Sequence, residues 1–359
     1  MGSERRVVTR DEIAAAAGVS AATVSYVVNN GPRPVSPRTR SKVLHAIDSL
    51  GYKPNAIARN LRMHRSTTIG LIIPDINNPY FAQVARGVEQ MASENGLTTV
   101  LCHSSYSVEG ELRYVDVLQS ERAAGVIWFP ATNSPEPGKR MTEFGMPLVI
   151  LDRSVPGVPA PAVVANNFLG GLLATGHLIE LGHRTIGYIA RSTDLSHSSE
   201  RLRGYQAALA NFGIERDDSL IVRGGFKLED GYQAAKQLLE GPHRPSGIFA
   251  YNDFMALAAL RAAYELGIHV PGDLSVVGFD DIPEAAFACP SLTTIAQAKH
   301  EMGRQGVAFL LEIINQNPPG TSRSESLPVE LVVRESTGPV PPADNHLKGL
   351  SSDPRGARP

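Results

Sequence analysis

Residues 9–29 read TRDEIAAAAGVSAATVSYVVN, and the spacing within them predicts a helix, a tight turn and a second helix. Thr9 and Glu12 stand at capping-box separation, each able to satisfy the other's backbone N–H. The small apolar run from Ile13 to Ala17 is broken by Gly18, a residue suited to a turn of positive φ. Ser20 is placed to cap the next helix, whose Val24, Val27 and Val28 form a buried stripe. Ser20, Ala21, Ala22, Thr23, Ser25 and Tyr26 are then left on the outer, N-terminal side. In a helix-turn-helix protein that side enters the major groove of DNA. Helices joined at a glycine also occur in ordinary bundles, so the surroundings carry the decision.

Charge is the first of those surroundings. Residues 1–65 hold eleven Arg and Lys against Glu4, Asp11, Glu12 and Asp48, a net of +7 in a chain whose total is −2. A small basic headpiece on an acidic body fits a phosphate-binding unit fused to another module. A third helix is predicted after Ser36 and Pro37, with a stripe of Val43, Leu44, Ile47 and Leu50 ending at Gly51. Pro54 and Asn55 can start a short helix through Leu61, too short to be stable alone.

Beyond residue 66, β-rich runs alternate with helical ones, the pattern of parallel α/β units. Strands are predicted at 68–73, 97–102, 125–129, 148–151, 185–190, 247–251 and 274–279. Gly96, Gly182, Gly213 and Gly267 are placed as helix stops. Some 270 residues exceed one ordinary domain, which predicts two lobes. Ligands of open α/β sheets bind beyond the carboxyl ends of strands. Asn78 (or its neighbour Asn77), Tyr80, Phe81, Asp152, Asn252 and Asp280 sit there, with Arg201 in the helix after residues 185–190. Carboxylate, amide and guanidinium groups beside aromatic rings suit a polyhydroxylated ligand. Taken singly, an Asp or Asn at a strand end ordinarily caps the next helix.

The chain resembles the LacI/GalR family of bacterial transcriptional regulators over nearly its whole length. The residues that carry the resemblance are IAAAAGVSAATVSYVVN (13–29), VSPRTRSKV (35–43), GYKPNAIARNLR (51–62), DINNPYF (75–81), GHRTIGYIA (182–190), RLRGYQAAL (201–209), AYNDFMALAAL (250–260), VVGFDDI (276–282) and PSLTTI (290–295). It implies a helix-turn-helix DNA-binding domain over 1–52, a hinge helix and linker over 53–66, and a two-lobed periplasmic-binding-protein-like effector and dimerisation domain over 67–337. Lobe crossovers are expected near 165, 294 and 326. The fold class is therefore a small all-α unit plus a two-lobed α/β unit.

The resemblance also implies roles. Arg201, Asn252 and Asp280 match family positions that contact the effector, and Phe226 resembles the family's stacking aromatic. Ala21, Ala22 and Tyr26 stand where base-contacting side chains sit, with Thr9, Ser20, Thr23, Ser25 and Asn29 as phosphate contacts. Leu61, with Asn55 and Ala58, is expected in the minor groove, where an apolar wedge kinks the duplex. Two departures from the family pattern are Asn166-Asn167, in place of Asp-Asn, and Ala123-Ala124-Gly125.

Other classes find little support. Gly171 to Gly176 echoes a phosphate loop, but His177-Leu178 replaces the Lys-Ser/Thr that such a loop needs. Cys102 and Cys289 lack metal-ligand spacing, and the ten histidines are dispersed. No metal or cofactor is expected, and no signal peptide or membrane span is read. The tail 338–359 is rich in Pro, Gly and Ser and is expected to be disordered, without the heptads that join some relatives into tetramers. The expectation is a cytoplasmic homodimeric repressor, not an enzyme, binding a near-palindromic operator under control of a small molecule, most readily a sugar. A purine, a nucleoside or a phosphorylated partner protein is the alternative input, and a sugar-binding transport component the more distant reading.

Overall fold

Helix α1 (Arg10–Ala17) begins at the capping box: the Thr9 N–H donates to Glu12 Oε2 at 2.7 Å, and the Glu12 N–H to Thr9 Oγ1 at 3.3 Å. It ends at Gly18, whose φ of 65° lets its N–H turn back to Ala14 and Ala15. Ser20 accepts from the Thr23 N–H and opens α2 (Ala21–Asn29), and Ser36 opens α3 (Pro37–Leu50) in the same way. Ile13, Val24, Val27, Val43 and Ala46 form the three-helix core. The stripe expected on α3 is partly corrected. Leu44 and Leu50 are exposed, at 45% and 41%, and small Ala46 takes the inward place beside Val43.

The structure, a computed structural model, describes residues 8–29, 33–51, 66–191, 196–225, 227–315 and 323–340. The chain divides into two compact units, Met1–Ser66 and Thr67–Pro359. Among the described residues, no helix is long and apolar enough to cross a membrane.

Among the described residues, the larger unit contains two six-stranded sheets. Its first half runs β1 (Thr68–Ile73), α4 (Pro79–Glu94), β2 (Thr98–His103), α5 (Val108–Ser120), β3 (Gly125–Trp128), α6 (Glu136–Glu143), β4 (Leu148–Leu151) and β5 (Ala162–Ala165). The second half continues with α7 (Asn167–Glu180), β6 (Ile186–Arg191), α8 (Ser196–Asn211), β7 (Ile221–Gly224), α9 (Leu228–Glu240), β8 (Gly247–Ala250), α10 (Asp253–Glu265), β9 (Ser275–Asp280), α11 (Pro283–Phe287) and β10 (Thr293–Gln297). Then come α12 (Lys299–Asn315), β11 (Ser324–Leu327) and β12 (Val329–Val332).

Lobe 1 has strand order β11-β5-β4-β3-β1-β2, all parallel; lobe 2 has β12-β10-β9-β8-β6-β7, with β12 antiparallel to β10. Strands buried on both faces read as continuous apolar runs, as in GVIW and LVIL. The chain passes between sheets after Ala165, after Gln297 and after Leu327. The second passage therefore comes later than position 294. Five strands went unread: β5, β7, β10, β11 and β12. Most are four residues long, and SESL in β11 has one buried residue and no apolar alternation.

The boundary drawn at 338 falls early, because residues 338–340 pack on lobe 2. The Gly338 carbonyl accepts from Ser275 Oγ and from His183 Nε2, both at 3.2 Å, and the Val340 N–H reaches Leu181 O at 3.0 Å. His177 likewise meets Thr337 Oγ1 at 2.9 Å. Positions 341–359 lie outside the described residues.

One carboxylate lies deep within lobe 1. Glu111 is fully buried, and its Oε1 accepts from Trp128 Nε1 and from the Ala131 N–H, each at 2.7 Å, while Oε2 has no partner among the described residues. Burial pushes its carboxyl from 4.5 up to about 7. The folded chain keeps a proton that the unfolded chain releases, so this stability is full below about pH 4.5 and is lost as pH rises through about 7. Glu111→Gln keeps the acceptor for Trp128 and removes the titration. Between about pH 5 and pH 8 the native protein should lose up to about 3 kcal/mol relative to that variant, at about 1.4 kcal/mol per unit. Urea midpoints at the two pH values measure it, and parallel slopes would refute the buried-acid reading.

Candidate functional site

In the small unit, the outer side of α2 presents an exposed Ala22 and half-buried Thr23, Ser25 and Tyr26. Ala21 is less available than its place in the helix suggests, because it packs against the edge of the three-helix core. Ser20 and Thr23 share a hydroxyl contact of 2.9 Å, and Thr9 is held by Glu12. Asn29 ends α2, and its side chain lies outside the described residues, as do Asn55, Ala58, Leu61 and Phe226.

In the larger unit, seven of the eight expected effector residues line one interlobe cleft: Asn78, Tyr80, Phe81, Asp152, Arg201, Asn252 and Asp280. Lobe 1 brings its share from the ends of β1 and β4, lobe 2 from the ends of β8 and β9 and from the second turn of α8. The capping reading and the lining reading are both true of the two asparagines. Asn78 Oδ1 accepts from the Tyr80 N–H at 2.9 Å and Asn252 Oδ1 from the Met255 N–H at 3.0 Å, so each opens a helix while facing the cleft.

Arg201 is the hub. It is 2% exposed, and its Nε donates to Asn167 Oδ1 and its Nη1 to the Tyr251 carbonyl, each at 2.7 Å. Its guanidinium lies 3.6 Å from the centre of the Phe279 ring and 3.8 Å from Asp280 Oδ1. Asp280 also accepts from Gln297 Nε2 at 2.6 Å. Burial pushes its carboxyl up to about 6, against the opposing pull of Arg201 and Lys299. Lys299 Nζ donates to the carbonyls of both Asp280 and Asp281. Those two aspartates have φ of 115° and 54° and point apart, Asp281 meeting Arg334 at 2.6 Å. Across the cleft, Tyr80 donates its hydroxyl to Asp152 Oδ1 at 3.0 Å. Phe81 turns its ring edge-on to Phe129 at 5.3 Å and serves as wall.

Four residues of this region escaped sequence reasoning. Tyr106, Arg191 and Tyr251 line the same cavity, following β2, ending β6 and following β8. The strand-end rule applied to every strand would have included all three. Asn167 orients Arg201, while its neighbour Asn166 caps α7 through the Leu169 N–H at 3.1 Å. The arrangement offers carboxylate and amide acceptors, guanidinium donors and aromatic edges. Such a set hydrogen-bonds hydroxyl groups and packs against an apolar ring face.

Comparison with known proteins adds to this geometry. Residues 9–55 match the model of bacterial regulatory proteins, lacI family, and residues 175–337 match a periplasmic binding protein-like domain. The HTH-type transcriptional regulator DegA of Bacillus subtilis is 36% identical over 92% of this chain and 98% of its own length. The ribose operon repressor of Escherichia coli K12 is 35% identical over 89% of this chain and 97% of its own. Among solved structures, the lac repressor dimer bound to operator and the anti-inducer ONPF superposes with a TM-score of 0.83 at 30% identity, covering 93% of this chain and all of that one.

Proposed function

The chain belongs to the lacI family of bacterial regulatory proteins, and from that premise we propose that it is a cytoplasmic, homodimeric repressor whose hold on operator DNA is set by a small polyhydroxylated molecule, a sugar. The observation that carries the sugar reading is the pair of carboxylates from opposite lobes, Asp152 and Asp280, facing one cleft with Arg201 between helix and strand ends. Two half-sites of a near-palindrome match the two-fold symmetry of a dimer. Effector in the cleft biases the lobe arrangement, and it controls DNA binding through its different affinity for the two arrangements.

A thermal-shift screen of pentoses, hexoses, disaccharides, purines and nucleosides on the full chain tests this reading. A true effector at about a hundred times its Kd stabilises by roughly 2.7 kcal/mol. It should also change operator affinity by fluorescence anisotropy. Stabilisation by a purine or nucleoside, with every sugar silent, would replace the sugar.

The reading extends to the DNA face. Ala21, Ala22 and Tyr26 are proposed to select bases, with Thr9, Ser20, Thr23, Ser25 and Asn29 fixing register on phosphates. Alanines favour thymine methyl groups by apolar contact. Replacing Ala21-Ala22 by a bulkier polar pair should shift the preferred bases at two or three half-site positions in a randomised-operator selection, each by about 1–3 kcal/mol. An unchanged consensus with uniformly weaker binding would instead assign specificity to DNA shape.

A further inference from the structure

Tyr106 and Arg191 face one another across the cleft from different lobes. Tyr106 follows β2 in lobe 1; Arg191 ends β6 in lobe 2. The Arg191 guanidinium lies 5.4 Å from the centre of the Tyr106 ring and 5.8 Å from that of Tyr251, and its Nη1 reaches the Tyr251 hydroxyl at 3.4 Å. A cation flanked by two aromatic rings is attracted to both faces, more strongly as water is excluded, and Arg191 is 8% exposed.

The backbone that delivers Tyr106 is unusual. Ser105 and Tyr106 both have φ of 56°, two successive non-glycine residues in the left-handed region. Such residues persist where the surroundings over-determine them. The turn places the Tyr106 side chain among the residues that line the cleft.

We propose that Tyr106 and Arg191 form a clasp that joins the two lobes across the effector cleft and positions Tyr251 and Arg201 for the ligand behind it. Tyr251 is the link: its ring meets both guanidinium groups, and its carbonyl accepts from Arg201. Both residues line the cleft, so ligand exit is coupled to opening of the Tyr106–Arg191 contact, and the pair governs residence time as well as lobe closure. The consequence for a ligand rests on the cleft being the effector site; the contact between lobes does not.

Hydrogen exchange on the full-length protein, without added sugar, tests the clasp. Tyr106→Ala, a change in lobe 1, should speed exchange several-fold at the amides of 189–191 and 251–252 in lobe 2. Arg191→Gln should do the reciprocal at 104–107. The double variant should fall short of the sum of the single changes, because both remove the Tyr106–Arg191 contact. Tyr106→Phe keeps the ring face and should match the native protein. Faster exchange confined to the mutated lobe, or a Tyr106→Phe variant as fast as Tyr106→Ala, would overturn the proposal. A second arm uses D-ribose and cellobiose as probes. For whichever one stabilises the native protein, Tyr106→Ala should raise the dissociation rate about tenfold, equivalent to about 1.4 kcal/mol. Silence of both sugars counts against the ligand class, while the exchange arm still decides the clasp.

Discussion

Arg201→Ala should abolish the effector response and lower folding stability by about 3 kcal/mol. The side chain makes three kinds of contact within one buried volume: hydrogen bonds to Asn167 and to the Tyr251 carbonyl, stacking on Phe279, and charge proximity to Asp280. Truncation leaves an amide oxygen and a carbonyl without their donor, at about 1–3 kcal/mol for each unsatisfied buried group. It also removes one of the two cations that act on the buried Asp280 carboxylate, where loss of a sole partner typically costs about 3–5 kcal/mol. Asp280 keeps Gln297 as a donor and can take up a proton, which places the expected sum at the lower end. Arg201→Lys restores charge but not the fork that spans Asn167 and Tyr251, and should recover part of the stability and little of the response. Urea unfolding gives the first quantity. Anisotropy on the operator recovered by selection, with and without effector, gives the second. A loss below about 1 kcal/mol with effector affinity intact would remove Arg201 from the centre of the site.

Gly171→Ala and Gly176→Ala should move stability in opposite directions, although both lie in α7. A Cβ on Gly171 would stand 2.2 Å from the Arg201 carbonyl oxygen, which is backbone and cannot rotate away. Helix α8 must retreat, and Arg201 moves with it, away from Asn167 and Asp280. Overpacking of this kind costs about 1–3 kcal/mol, and here effector affinity should fall with it. A Cβ on Gly176 would meet nothing within 4 Å among the described residues. Alanine there should stabilise by about 0.5–1 kcal/mol through helix propensity, with the effector response unchanged. Equal effects of the two changes would mean that α7 and α8 do not touch as described.

The same glycines show where sequence reading ends. Their spacing echoes a phosphate loop, and dismissing that echo was possible from His177-Leu178 alone. Why Gly171 is a glycine was not legible, because the atom that excludes a side chain lies thirty residues on, in another helix. The α3 stripe failed for a related reason. Apolar spacing ranked Leu44 and Leu50 above Ala46, while the surface against α1 admits the small residue.

What the sequence determined by itself is whatever depends on local periodicity and chemical type. That includes the capped helix-turn-helix, the basic headpiece, the alternation of strands with helices, and the polar residues gathered at strand ends. Glycines at 96, 182, 213 and 267, each now with φ between 67° and 97°, belong to this class, since a left-handed stop is a single-residue property. Tertiary structure alone decided which strand ends meet. Tyr106, Arg191 and Tyr251 are unremarkable in sequence and become one contact when the strand ends of two sheets meet. The five short strands were likewise decided by their neighbours, as pairing supplies the hydrogen bonds that four or five residues cannot secure alone. Local signals carry the identity of elements; contacts between residues distant in the chain carry the site, because its chemistry exists only where separate strands converge.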